Sequence, residues 1–227
     1  PKRLVADLKK IVETGVRIMR HIPYRRYVFL LHNSTERGGG LEHLNSTALQ
    51  YPPYAYRPRE KYENFLELAA HEFFHLWNVK RIRPSGLGPF DYPGEVYTRA
   101  LWVLEGFTSY YDDLILRRTG LMTRAEYFGH LAEKIQRFRD TPGRAAQDLE
   151  SSSFDAWIKH YQPDENSPNA AVSYYEKGSL VALLLDLEIR RRNGHKRSLD
   201  DLMRLLWRRY GAKDCGFDEA DLQGLAE

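Results

Sequence analysis

The sequence predicts an α+β domain that is mostly α. Three observations carry that reading. Long segments rich in helix formers place apolar residues at helical spacing. Two short runs rich in β-branched, aromatic and aliphatic residues, 26–33 (RYVFLLHN) and 41–49, read as strands with glycines between them. At 227 residues and 42% hydrophobic, the chain can bury one sizeable core, as one domain or as two tightly packed subdomains.

The elements follow in order. Residues 3–20 carry Leu4, Leu8, Ile11, Val12, Val16 and Ile18 at helical period. The strands come next. Residues 62–80 form an apolar helix, with Leu66, Ala69, Ala70, Phe73, Phe74 and Trp77, and no Gly or Pro until Pro84. A loop containing Pro84, Gly86, Gly88, Pro89, Pro93 and Gly94 leads to a helix at 99–118. Further helices are expected at 123–140, 172–192, 198–210 and 217–225. Thr123 and Ser198 are in N-cap position, Ser198 with Asp201 three residues on. Residues 141–171 are polar and contain Gly and Pro, so they read as a long connection.

The most informative stretch is His71-Glu72-Phe73-Phe74-His75, an H-E-x-x-H motif. On a helix, residues four apart share a face, roughly 5–6 Å apart at Cβ. Two imidazoles so placed can bind one Zn²⁺, and the intervening glutamate can act as general base. A metal-free core helix with hydrogen-bonded histidines fits the same five residues. A catalytic zinc needs a third protein ligand and leaves a position to water. Glu105 is the candidate, a lone carboxylate in the apolar stretch LWVLEGFTSYY, where an unpaired charge would be costly. Glu95 is nearer in sequence, beside Pro93-Gly94. Asp112, two turns after Glu105, is either a capping carboxylate or a group that orients a histidine. Two histidines and a carboxylate favour zinc over other divalent metals.

Three further segments join this one: GGGLEHLNST at 38–47, HEFFHLWNVKRIRP at 71–84, and Tyr174-Tyr175-Glu176-Lys177-Gly178. With LEGFTSYY they resemble the catalytic domain of the glycyl aminopeptidase family, bacterial zinc peptidases related to the aminopeptidase N-like group. The resemblance covers roughly residues 3–220. It implies a thermolysin-like zincin fold with a small N-terminal β-element and a helical C-terminal part. It also implies that residues 1–227 are a catalytic domain taken from a longer protein, with an N-terminal β domain and a C-terminal PDZ domain. His71, His75 and Glu105 match the zinc ligands, and Glu72 the catalytic base. Gly39-Gly40-Leu41-Glu42-His43 resembles the G-x-M-E-N motif, whose glutamate binds the substrate's α-amine. Leu41 and His43 depart from that pattern, while Glu42 keeps the acid. Tyr175 matches the tyrosine of Y-x-K-G, whose phenol stabilises the tetrahedral intermediate.

The physical readings stand beside the resemblance. A cationic α-amine needs a fixed anion near the reacting centre. Gly39 and Gly40 let backbone approach a ligand, and an extended 41–49 segment can add hydrogen bonds along a peptide. An ordinary glycine turn with an exposed carboxylate is the plain alternative. A phenol at the start of the apolar helix SLVALLLDLEI can donate to an oxyanion, and Tyr174 competes with Tyr175 for that role. His43 is either a substrate contact or a structural histidine.

The expected activity is release of N-terminal residues, small ones such as Gly or Ala, from peptides with a free N-terminus. An endopeptidase with the same zinc site, and a peptide-binding domain silent without its flanking domains, are the alternatives. A net charge of +3 is too small to imply nucleic-acid binding. The run Arg190-Arg191-Arg192 ends an apolar helix, where cations suit the helix dipole. The longest apolar run, 180–185, is too short to span a bilayer. One cysteine, Cys215, excludes an internal disulfide. The resemblance implies a bacterial enzyme, with the cytoplasm ahead of the periplasm. Oligomeric state is not legible.

Overall fold

The computed structural model describes residues 2–35, 38–89 and 93–218, with 221 and 224. The chain runs through helix α1 (Lys2–Met19), strands β1 (Val28–Asn33), β2 (Gly39–Glu42) and β3 (Ser46–Tyr51), and helix α2 (Arg59–Phe74). Then come α3 (Leu101–Thr119), α4 (Arg124–Asp140), α5 (Leu149–Phe154), α6 (Ser167–Ala170), α7 (Tyr174–Arg192) and α8 (Leu199–Arg209). The fold is α+β and mostly helical, as expected. Two compact units divide it. The first is Pro1–Lys80 with Tyr111–Tyr127; the second is Arg81–Tyr110 with Phe128–Glu227. Helix α3 contributes its first half to the second unit and its second half to the first.

In the first unit, α1 lays its buried face (Ile11, Ile18 and Met19) on α2. It ends where Arg20 turns left-handed at φ 55°. The sheet has order β1-β3-β2. Strands β1 and β3 are parallel, from Val28 opposite Ser46 to Asn33 opposite Tyr51. Strands β2 and β3 are antiparallel, with Glu42 opposite Thr47. A single strand over 41–49 was expected, and the structure has a hairpin there instead. The His43 N–H donates to the Ser46 carbonyl (2.9 Å) and the Thr47 hydroxyl to the Leu41 carbonyl (3.1 Å), which closes the turn. The glycines at 39 and 40 consequently lie inside β2, not between strands. Under the sheet, Phe65, Phe73, Phe74 and Trp77 are fully buried. Each such side chain contributes roughly 1.5–3 kcal/mol. Phe73 meets Tyr27 and Trp77 edge-on, with ring centroids 5.0 and 5.4 Å apart.

Helix α2 is shorter than the expected 62–80. Beyond Phe74 the bonds tighten, Leu76 N–H to the Phe73 carbonyl and Trp77 N–H to the Phe74 carbonyl. His75 is the C-cap, still helical at φ −60°, ψ −18°, and its N–H reaches the His71 carbonyl. The i, i+4 relation of the two histidines therefore survives. Thr123 caps α4 as expected. Its hydroxyl accepts from the Glu126 N–H, and its own N–H donates to the Glu126 carboxylate (2.7 Å).

In the second unit, α8 starts at the expected Ser198–Asp201 capping box and buries Leu199, Leu202, Met203, Leu206 and Trp207. Asp186, 4% exposed, ties three helices together. It accepts from the Tyr110 hydroxyl (2.8 Å), the Arg190 guanidinium (2.8 Å) and the Leu199 N–H (2.6 Å). Arg191 and Arg192 pair with Glu188. The 141–171 connection carries more structure than expected. Asp148 caps α5 through the Ser151 N–H, and Pro168 sits in the first turn of α6. The helix expected at 217–225 lies largely outside the described residues.

Candidate active site

Each unit assembles its own part of the site. In the first, His71 and His75 project from the last turn of α2 with ring centroids 4.6 Å apart and planes at 83°. His75 is 2% exposed, and its Nδ1 lies 2.7 Å from the Asn78 carbonyl. A carbonyl only accepts, so Nδ1 carries the proton and Nε2 carries the lone pair. His71 Nδ1 lies 3.1 Å from the Asp112 carboxylate, which is 4% exposed, and the same logic applies. Asp112 thus orients a histidine and does not cap a helix. Both imidazoles are held in the tautomer that a metal requires. The donor set on α2 therefore fits a zinc ion.

Glu72 lies between them, 6% exposed. A β-carbon on Gly40 would overlap the Glu72 side chain, its carboxylate included. Gly40 is thus a space-maker for the carboxylate, a role that its place in a glycine run did not reveal. Gly39 has φ 141°, which only glycine adopts readily. Glu42, at the end of β2, has its carboxylate 3.0 Å from the Lys80 ammonium, both only 15–20% exposed at the side chain. Lys80 was not foreseen. Nothing in the run HLWNVK separates it from a surface lysine. His43 is exposed in the hairpin turn.

In the second unit, Glu105 lies on α3 and Tyr175 at the start of α7. The two helices meet glycine on glycine. A β-carbon on Gly106 would come 2.5 Å from the Gly178 Cα, and one on Gly178 2.7 Å from the Trp102 carbonyl. Gly106 follows Glu105, and Gly178 is three residues past Tyr175, so this contact sets the carboxylate near the phenol. Burial pushes the Tyr175 hydroxyl far above its ordinary range, and the Glu105 charge pushes it further. Tyr175 therefore stays a protonated donor. Tyr174 behaves alike, burial again leading. The rings of Tyr174 and Tyr175 stack at 4.6 Å. Tyr161, absent from the expected set, links them, its hydroxyl 3.4 Å from that of Tyr174 and 3.3 Å from that of Tyr175. His160 lies against both rings, and burial lowers its pKa against the pull of Glu105. Both residues sit in the polar 141–171 segment, whose composition carries no such signal. Glu95 is exposed in the loop.

A mostly helical domain with a small sheet, a histidine pair flanking a buried glutamate, and a protonated phenol beside a carboxylate together define the peptidase class. The family model for M61 glycyl aminopeptidase matches residues 64–181, and the chain belongs to that family. A solved aminopeptidase N family protein from Idiomarina loihiensis is 39% identical, with TM-score 0.90, over 96% of this chain. The chain spans 38% of the length of that relative. Yeast LTA4 hydrolase shares the fold at 18% identity and TM-score 0.63, covering 96% of this chain and 31% of its own. A second structure, native leukotriene A4 hydrolase from Saccharomyces cerevisiae, aligns at 17% identity and TM-score 0.54, again over 96% of this chain and 30% of its own. No curated protein matches. Among the described residues, no helix is long and apolar enough to cross a membrane.

Proposed function

We propose that this chain is the catalytic part of a zinc aminopeptidase that removes N-terminal residues, small ones such as Gly or Ala, from peptides. The observation that carries the reading is the fixed tautomer of His75. Its Nδ1–H is committed to the Asn78 carbonyl, which turns the Nε2 lone pair outward for a metal. His71, held by Asp112, and Glu105 complete the proposed ligand set. The family and the placement of Glu105 and Asp112 on one helix support it.

When bound, zinc supplies Lewis acidity toward the scissile carbonyl and acidifies the attacking water. Glu72 takes a proton from that water and delivers it to the leaving amine. Its burial beside Gly40 keeps it from competing solvent. Tyr175 donates its phenol proton toward the oxygen on which negative charge develops. Glu42 holds the substrate's α-ammonium and so sets cleavage at the chain end.

An endopeptidase is the second reading, and one observation favours it. The Lys80 ammonium already lies against Glu42, where the substrate amine would bind. Paired peptides with free and N-acetylated termini decide between the two. The aminopeptidase reading expects cleavage of free peptides only, and equal cleavage of both overturns it. Glu72→Gln is expected to keep zinc in stoichiometric amount and lose most turnover. Retained turnover removes Glu72 from the base role.

A further inference from the structure

A cavity of about 590 Å³ opens in the second unit, with Glu105 in its wall. Leu101, one turn before Glu105 on α3, lines it on the same side, as do Leu87, Val96, Ala156 and Trp157. Its volume lies within the range of small-ligand sites. The polar groups in the wall are largely committed to the fold. The Ser153 hydroxyl donates to the Leu149 carbonyl and accepts from the Trp102 N–H. The Thr98 hydroxyl accepts from the Ala100 N–H. The Tyr161 and Tyr174 hydroxyls bond to each other. A wall of this kind reads apolar shape and offers little to a polar guest. Trp157 and Tyr161 stand 50% and 59% exposed at the site, apolar surface that a free domain seldom presents without use.

We infer that this cavity receives a large apolar side chain, leucine- or phenylalanine-like, from the peptide residue that follows the cleaved bond. The inference rests on the peptidase reading above. Glu105 belongs both to the cavity wall and to the proposed ligand set, so an occupant sits next to the reacting bond. The N-terminal residue is the small one in that reading, which assigns the large side chain to the second position. The enzyme then selects on both sides of the bond, with a small residue before it and a bulky one after.

The test uses zinc-loaded protein and tripeptides X-Y-Ala, with Gly, Ala, Leu, Phe and Lys placed in turn at X and Y. Leu and Phe at Y are expected to exceed Gly in kcat/KM by about 10- to 200-fold, the span that a hydrophobic pocket can supply. Lys at Y should fall well below Leu. Val96→Trp, which fills the cavity, should abolish the gain while Gly at Y stays within about three-fold. Trp157→Ala, at an exposed position that does not threaten folding, should shrink the gain. A flat profile at Y, a preference for Lys, bulk preferred at X, or a Val96→Trp effect equal for all peptides overturns the proposal. A binding arm separates it from the activity. Leucine amide and phenylalanine amide should change the emission of metal-free protein, glycine amide should not, and Trp157→Phe should remove the signal. If no peptide is cleaved but this signal is present, the peptidase reading fails and the apolar site stands. If peptides are cleaved without preference or signal, the site fails alone.

Discussion

Gly106 and Gly178 touch so closely that neither has room for a β-carbon. This contact brings the Glu105 end of α3 against the Tyr175 end of α7. Overpacking such a contact costs roughly 1–3 kcal/mol. Gly178→Ala should therefore lower unfolding free energy by about that amount in denaturant titrations. Gly129, exposed in α4 with nothing near its missing β-carbon, is the control. There Ala should be neutral or stabilise by roughly 0.5–1 kcal/mol. Equal losses at both sites would refute the packing argument.

Asp112→Asn should weaken metal binding by about 10- to 100-fold, because His71 loses a charged acceptor for its Nδ1 proton. Chelator competition reads this directly. Unchanged affinity means that the 3.1 Å contact does not support the histidine.

Tyr175→Phe should lower kcat by about 10²–10³ with little change in KM, since the proposed bond forms only as charge develops. Tyr174→Phe should do much less. A reversal of the two effects moves the role to Tyr174, and a change in KM alone removes it from both.

Glu42→Ala should raise KM for free-amine peptides and leave blocked ones alone. Lys80→Met should lower KM for free-amine peptides by about five-fold, on the order of 1 kcal/mol, because a competing cation is gone. A rise in KM for Lys80→Met instead makes the lysine a support for Glu42.

Glu126 supplies an acid-sensitive element. The Thr123 backbone N–H is the main cause holding its carboxyl down to about 2, with the Thr123 hydroxyl and Arg59 adding to it. A depressed folded value stabilises above the ordinary value of 4.5, and that stability is lost as pH falls toward 2. Denaturant unfolding at pH 5 and pH 3 should show a smaller acid loss in Glu126→Gln than in the parent. Identical losses place the acid sensitivity elsewhere.

The helices were legible because their signals are local. The apolar spacing of α1, the Thr123 and Ser198 caps, and the break after α3 all depend on residues within a few positions. The β2–β3 hairpin was not, because no Asn-Gly or Asp-Gly marks its turn; His43-Leu44-Asn45 makes it through bonds that only the paired strands define. The short helices α5 and α6 were hidden in a polar stretch for the same reason.

At the site, sequence alone determined the metal-ligating chemistry on α2. The spacing of His71 and His75 is a property of one helix, and Glu72 between them comes with it. Tertiary structure decided everything that required a partner from elsewhere in the chain. It assigned Asp112 to His71, made Gly40 the space for Glu72, placed Lys80 on Glu42 and joined Tyr161 to Tyr175. These contacts join residues 9 to 41 positions apart, or in separate elements. Helical periodicity fixes neighbours three or four residues away, whereas which distant carboxylate meets which cation is set by how the elements pack.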